Sequence, residues 1–116
     1  MKLADVQKIL EAEVLCGSEW LNREIFAVCG ADLLSDVLAF TQEKTLLLTA
    51  LTHIQVIRTA DMSDLIGIVF VWGKRPKPEL IAMARIKDIP LLASPFPMYE
   101  ACGRLYQSGL KGADNG

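Results

Sequence analysis

The chain has 116 residues, 52% of them hydrophobic, and a formal net charge of −2. That length supports one core burying roughly two thirds of the unfolded surface, and no second one. Its longest apolar runs are about seven residues, against the ~20 needed to cross a bilayer, and its charge lacks the basic footprint of a nucleic-acid binder, so membrane spanning and nucleic acid are both disfavoured.

The amino-terminal stretch MKLADVQKIL alternates polar and apolar residues at helical spacing and carries an acid, unlike a signal peptide, so a cytoplasmic location is expected. Ala4 to Ala12 sets Val6, Ile9 and Leu10 on one stripe and predicts an amphipathic helix. Glu13 to Cys16 predicts a short extended piece. Gly17 to Arg23 then predicts a surface loop, in which Trp20 and Leu21 stand out as apolar and become candidates for an interface. Glu24 to Gly30 predicts a strand, and Asp32 is placed to cap a short helix carrying Leu33, Leu34, Val37, Leu38 and Phe40.

Thr45 to Leu51 predicts the next strand. Thr52-His53-Ile54-Gln55 has the form of a capping box, with Thr52 accepting from the backbone and Gln55 reaching back, and the helix it starts is expected to end in the polar stretch from Ala60 to Asp64. Gly67 to Trp72 is a near-continuous apolar run and predicts a buried strand. Pro78 and Glu79 suit the first turn of the helix after it. Ile89 to Ser94 predicts the last strand, and Pro97 opens a helix that buries Met98, Ala101, Cys102 and Leu105 and stops at Gly109. Residues 1–110 are expected to form the domain, with 111–116 a disordered tail too poor in apolar surface to order itself.

The four main strand segments begin at residues 24, 45, 67 and 89, a spacing of about 21 or 22. Each period holds one strand and one short helix. Strands without polar alternation need cover on both faces, and right-handed crossovers supply it. The expected fold is α/β, a three-layer α/β/α sandwich around a mainly parallel sheet of four or five strands.

Chemical equipment is sparse. The chain has no P-loop, no dinucleotide-binding glycine motif, no Gly-x-Ser-x-Gly elbow and no aspartate at the end of TLLLTAL for a phosphoryl acceptor. Cys16, Cys29 and Cys102 are odd in number, apolar in setting and without Cys-x-x-Cys spacing, which predicts buried reduced thiols, no disulfide framework, no metal and no cofactor. In α/β sheets ligands collect at the carboxyl ends of strands. Candidate ligand-binding residues there are Thr52 and His53, the turn Trp72, Gly73, Lys74 and Arg75, and the second turn with Ser94 and Phe96. His53 suits a base near neutral pH; Lys74, Arg75 and Lys77 suit a phosphate or carboxylate; Trp72 and Phe96 suit an apolar wall.

The run Gly67-Ile-Val-Phe-Val-Trp-Gly-Lys-Arg-Pro-Lys-Pro-Glu79, followed by Ile-Pro-Leu-Leu-Ala-Ser94 and an aromatic-rich closing helix, resembles the DRTGG domain. That family is a regulatory module found beside CBS domains in some pyrophosphatases and inside some phosphotransacetylases. It is also similar to the amino-terminal domain of bacterial HPr kinase/phosphorylase, whose kinase activity resides in a separate domain. Where the family commonly shows Thr-Gly-Gly, this chain has Val71-Trp72-Gly73, and where an Asp-Arg pair often opens the preceding helix it has Thr52-His53. The resemblance implies the fold, a regulatory and non-catalytic role, and dimerisation.

The first expectation is therefore a stand-alone bacterial regulatory module, homodimeric, working through protein partners in a signalling or metabolic complex and through a small anionic ligand such as a nucleotide. The alternative is a small enzyme using His53 with Lys74 and Arg75 on a phosphorylated or carboxylated substrate, which requires His53, Lys74 and Ser94 to converge on one cleft. A third expectation, a subunit of a larger redox or signalling assembly, requires the Trp20–Leu21 loop to be exposed and apolar.

Overall fold

The structure, a computed structural model, describes residues 1–113. Among these residues five strands and five α-helices follow in the order α1 (Leu3–Ile9), β1 (Glu13–Cys16), β2 (Ala27–Gly30), α2 (Leu34–Phe40), β3 (Thr45–Thr49), α3 (Gln55–Met62), β4 (Gly67–Phe70), α4 (Pro78–Ile86), β5 (Leu91–Ala93) and α5 (Met98–Gln107), with a 3-10 turn at Ser18–Trp20 between β1 and β2. The sheet order is β1-β5-β4-β3-β2. The four strands from β2 to β5 run parallel to their neighbours, and only the edge strand β1 pairs antiparallel, through Glu13 opposite Ala93 and Val14 opposite Leu92. The expected α/β sandwich with a mainly parallel sheet is what the chain forms.

Each strand presents alternate residues to opposite faces, and the register aligns them into rows. Leu48, Val69 and Leu92 share a row facing α1 and α5; Leu47, Ile68 and Leu91 share the next, facing α2, α3 and α4. All six are fully buried. Burial on this scale stabilises by about 1.5–3 kcal/mol per side chain. Three consecutive crossovers advance in one direction along the sheet, and crossovers that share one hand, as the general rule requires, put α2, α3 and α4 on the same face. The opposite face is closed by helices from the two ends of the sequence.

Local chemistry departs from expectation at three places. Asp32 does not cap α2, whose cap position is Leu33 with no side-chain bond. The Asp32 carboxylate instead accepts from the Thr49 hydroxyl and the Ala50 amide, at 2.9 and 2.8 Å. Thr52 and Gln55 form no capping box either, because α3 begins only at Gln55 behind an uncapped Ile54, and Gln55 accepts from Arg58. Helix α3 ends at Met62, inside the polar stretch from Ala60 to Asp64 where its end was expected. Finally, Lys111 and Ala113, placed by sequence in the tail, hydrogen bond to Val28 at the open edge of β2: the Val28 amide donates to the Lys111 carbonyl and the Ala113 amide to the Val28 carbonyl, both at 2.9 Å. The rest of that expected tail, 114–116, lies outside the described residues.

Candidate functional site

The connection leaving β4 runs to α4 on one face of the sheet, and the connection leaving β5 runs to α5 on the other. Diverging connections are what open a crevice at the carboxyl ends of parallel strands. Here the two loops are laced together across it. The Trp72 amide donates to the Phe96 carbonyl and the Gly73 amide to the Ser94 carbonyl, each at 2.8 Å. Trp72, Gly73, Ser94 and Phe96, four of the residues anticipated from sequence, are thus brought together.

Ser94 is fully buried, and its hydroxyl donates to the Leu10 carbonyl at 2.8 Å while accepting from the Phe96 amide at 3.3 Å. The group is committed to holding α1 against the β5 turn. Phe96 is half-buried, with the Arg104 guanidinium 4.0 Å from its ring centroid. Arg75 pairs with Glu13 at 2.6 Å, tying the loop after β4 to the start of β1. That partnership holds the Glu13 carboxyl below its ordinary value. Lys74 is exposed and has no ion-pair partner among the described residues.

Thr52 and His53 lie on the exposed approach to α3, where the His53 carbonyl accepts from the Val56 amide at 3.0 Å. Among the described residues no hydrogen bond or ion pair joins either to the Trp72 turn. The structure therefore gathers the β4 and β5 turns and leaves the β3 turn outside that hydrogen-bonded group.

Trp72 holds the least expected conformation. Its φ is +61° and that of Gly73 is +64°, and the Lys74 amide donates to the Val71 carbonyl at 3.1 Å, closing a tight turn with both central residues left-handed. Glycine adopts this at no steric cost, whereas an L side chain costs about 1–2 kcal/mol. The Trp72 side chain recovers little by burial, being 59% exposed.

The interface candidates fare differently. Trp20 is half-buried, packed over the α-carbon of Gly17 and beneath Arg23, whose guanidinium is 4.7 Å from the ring centroid. Leu21 is half-buried against the core cluster that includes Leu3 and Leu10. The exposed apolar loop required of an assembly subunit is not formed. Trp20 instead walls a half-open cleft of about 490 Å³ with Cys16, Ser18, Glu19, Arg85 and Asp88. Nothing in the sequence signals this cleft beyond an unexplained tryptophan, since Arg85 and Asp88 reach it from the far end of α4. Burial pushes the Cys16 thiol above its ordinary range, and likewise those of Cys29 and Cys102. Among the described residues, no group of acidic, histidine and cysteine side chains is clustered as a metal site, and no helix is long and apolar enough to cross a membrane.

The model of the DRTGG domain matches residues 5–108. The chain belongs to the DRTGG domain family. Among solved structures, this DRTGG domain is similar to the regulatory region of Clostridium perfringens pyrophosphatase, in a crystal structure of its CBS and DRTGG domains complexed with the activator diadenosine tetraphosphate. The likeness has a TM-score of 0.75 at 19% identity and covers 98% of this chain and 51% of that one. The DRTGG chain thus spans about half the length of that neighbour. No curated protein matches it.

Proposed function

We propose that this DRTGG domain is a non-catalytic regulatory module of a bacterial cytoplasm, acting through protein contacts, including those with a second copy of itself, and binding a small anionic ligand of the nucleotide class. The observation that carries this reading is the state of the strand-end residues: Ser94 and Arg75, which an enzyme would need free, are held by Leu10, Phe96 and Glu13. The family, and a structural neighbour crystallised as a regulatory region with a dinucleotide activator, support the same direction. So does the chain's chemistry, with three free cysteines suited to a reducing compartment.

For contact with a second copy, α2 offers apolar side chains left in water on either side of its buried residue. Leu33, Leu38 and Phe40, on or beside α2, are between 45 and 60% exposed, and Val37 is the buried residue of that helix. A second copy covering them would remove that apolar surface from water, which is the driving force for the self-association proposed here.

Two measurements test the reading. Light scattering on the purified domain at micromolar concentration returns twice the 12.8 kDa chain mass; a monomer removes the self-association. Thermal unfolding with an adenine nucleotide at ~100 times its dissociation constant shows stabilisation of about 2.7 kcal/mol. An unchanged melting temperature across adenine nucleotides and sugar phosphates removes the anionic ligand.

A further inference from the structure

Among the described residues, five other than glycine have positive φ: Glu11, Lys44, Asp64, Trp72 and Asp88. Three of them have an evident cause. Glu11, Asp64 and Asp88 each follow the last turn of a helix, and the amide one residue later donates back into it, Ala12 to Gln7, Leu65 to Ala60 and Ile89 to Ala84, all at 2.9 Å. That is how a left-handed residue ends a helix. Lys44 lies in the turn before β3, with its side chain in water apart from the Phe26 ring 5.0 Å away. Trp72 ends no helix, is the one aromatic among the five, and keeps its ring largely in solvent. Such a conformation persists where its surroundings over-determine it. Here three backbone hydrogen bonds, to Phe96, Ser94 and Val71, do so.

We propose that Trp72 is a stacking platform for the base of a nucleotide, whose phosphates lie toward Lys74 and Lys77. This rests on the nucleotide reading above and gives it a place. A flat ring carried on a backbone held at the carboxyl ends of β4 and β5 offers what a base needs, an exposed π face at a fixed place on the molecule. Lys74 and Lys77 follow within five residues and are exposed, without carboxylate partners among the described residues. Arg75 between them is taken by Glu13. Glu79 in the first turn of α4 and the missing amide of Pro78 turn phosphate away from that helix end and leave the two lysines to receive it. The ligand is thus planar at one end and anionic at the other. A protein partner using Trp72 as an anchor is the rival occupant.

The test uses the full chain with Trp20→Phe as background, which leaves Trp72 as the sole tryptophan, and ATP and inorganic tripolyphosphate as probes. ATP quenches Trp72 emission, and tripolyphosphate binds more weakly without quenching. Trp72→Phe keeps ATP affinity within about threefold, whereas Trp72→Gly loses it by at least roughly tenfold and melts no lower than its parent, because glycine accepts the left-handed turn freely. Lys74→Glu combined with Lys77→Glu weakens both probes. Wild-type-like ATP affinity in Trp72→Gly overturns the platform and leaves nucleotide binding standing elsewhere. No ATP binding by the parent chain overturns both. Should Trp72→Gly dissociate a dimer while ATP affinity is unchanged, Trp72 is an interface anchor and the proposal fails.

Discussion

The Thr49 hydroxyl donates to the Asp32 carboxylate across the carboxyl ends of β3 and β2, at 2.9 Å. Thr49 is fully buried, and its oxygen also accepts from the Leu51 amide at 3.2 Å, so one side chain fixes the exits of two strands. Thr45, at the other end of β3, is equally buried and has no hydrogen-bond partner for its hydroxyl among the described residues. The same substitution should therefore act with opposite sign at the two positions.

Thr49→Val and Asp32→Ala each strand polar groups at the strand exits and should destabilise by about 1–3 kcal/mol. Thr45→Val removes an unpaired buried hydroxyl at equal volume and should be neutral or stabilise by about 1 kcal/mol. Urea unfolding of the three variants checks this, and a loss at Thr45 matching that at Thr49 would count against the hydrogen-bonding assignment.

Gly17 is a second sensitive point. Its φ is +84°, and an added β-carbon would sit 2.7 Å from both Pro90 and the Trp20 ring. Gly17→Ala combines left-handed strain with overpacking and should cost about 2–4 kcal/mol. Trp20 emission should shift as the ring is pushed from its seat, whereas Gly103→Ala, with open space around it, should leave the fluorescence unchanged.

The pairing of Glu13 with Arg75 makes a pH prediction whose sign is fixed. Arg75 lowers the Glu13 carboxyl below its ordinary 4.5, so the stabilisation is complete above that pH and is lost as the pH falls through the lowered folded-state value. Both groups lie at the surface and the effect is small. In melting curves from pH 6 to pH 2, Glu13→Gln should show a shallower acid decline than the parent, and 0.5 M salt should narrow the gap.

The three thiols act at the other end of the scale. Burial raises all of them above their ordinary 9.0, so their contribution is intact below pH 9 and is lost as the pH rises through that value, where the unfolded chain ionises first. Alkylation by iodoacetamide at pH 7.5 should be slow in the native protein and complete within minutes in denaturant. Fast native labelling of Cys16, which donates to the Ile89 carbonyl at 3.6 Å, would show that its strand opens readily.

The order of elements was written in the residues because its causes are local. A strand covered on both faces must be apolar throughout, as TLLLT and GIVF are, and Pro78 starts a helix because its missing amide costs nothing in a first turn. Such signals, local to each segment, mark the parallel layers and the turns where Trp72 and Ser94 sit. Partners distant along the chain were beyond that reach. Asp32 looked like a helix cap until folding brought it Thr49, 17 residues away. Ser94, a ligand-binding candidate by its place at a strand end, is taken up instead by the Leu10 carbonyl that α1 delivers from 84 residues earlier. The handedness of the Trp72 backbone came from amides and carbonyls that meet only once β4 and β5 are paired. A lone sequence specifies each residue's capacity to bond, and the tertiary structure alone decides which capacities are used up internally and which remain for another molecule.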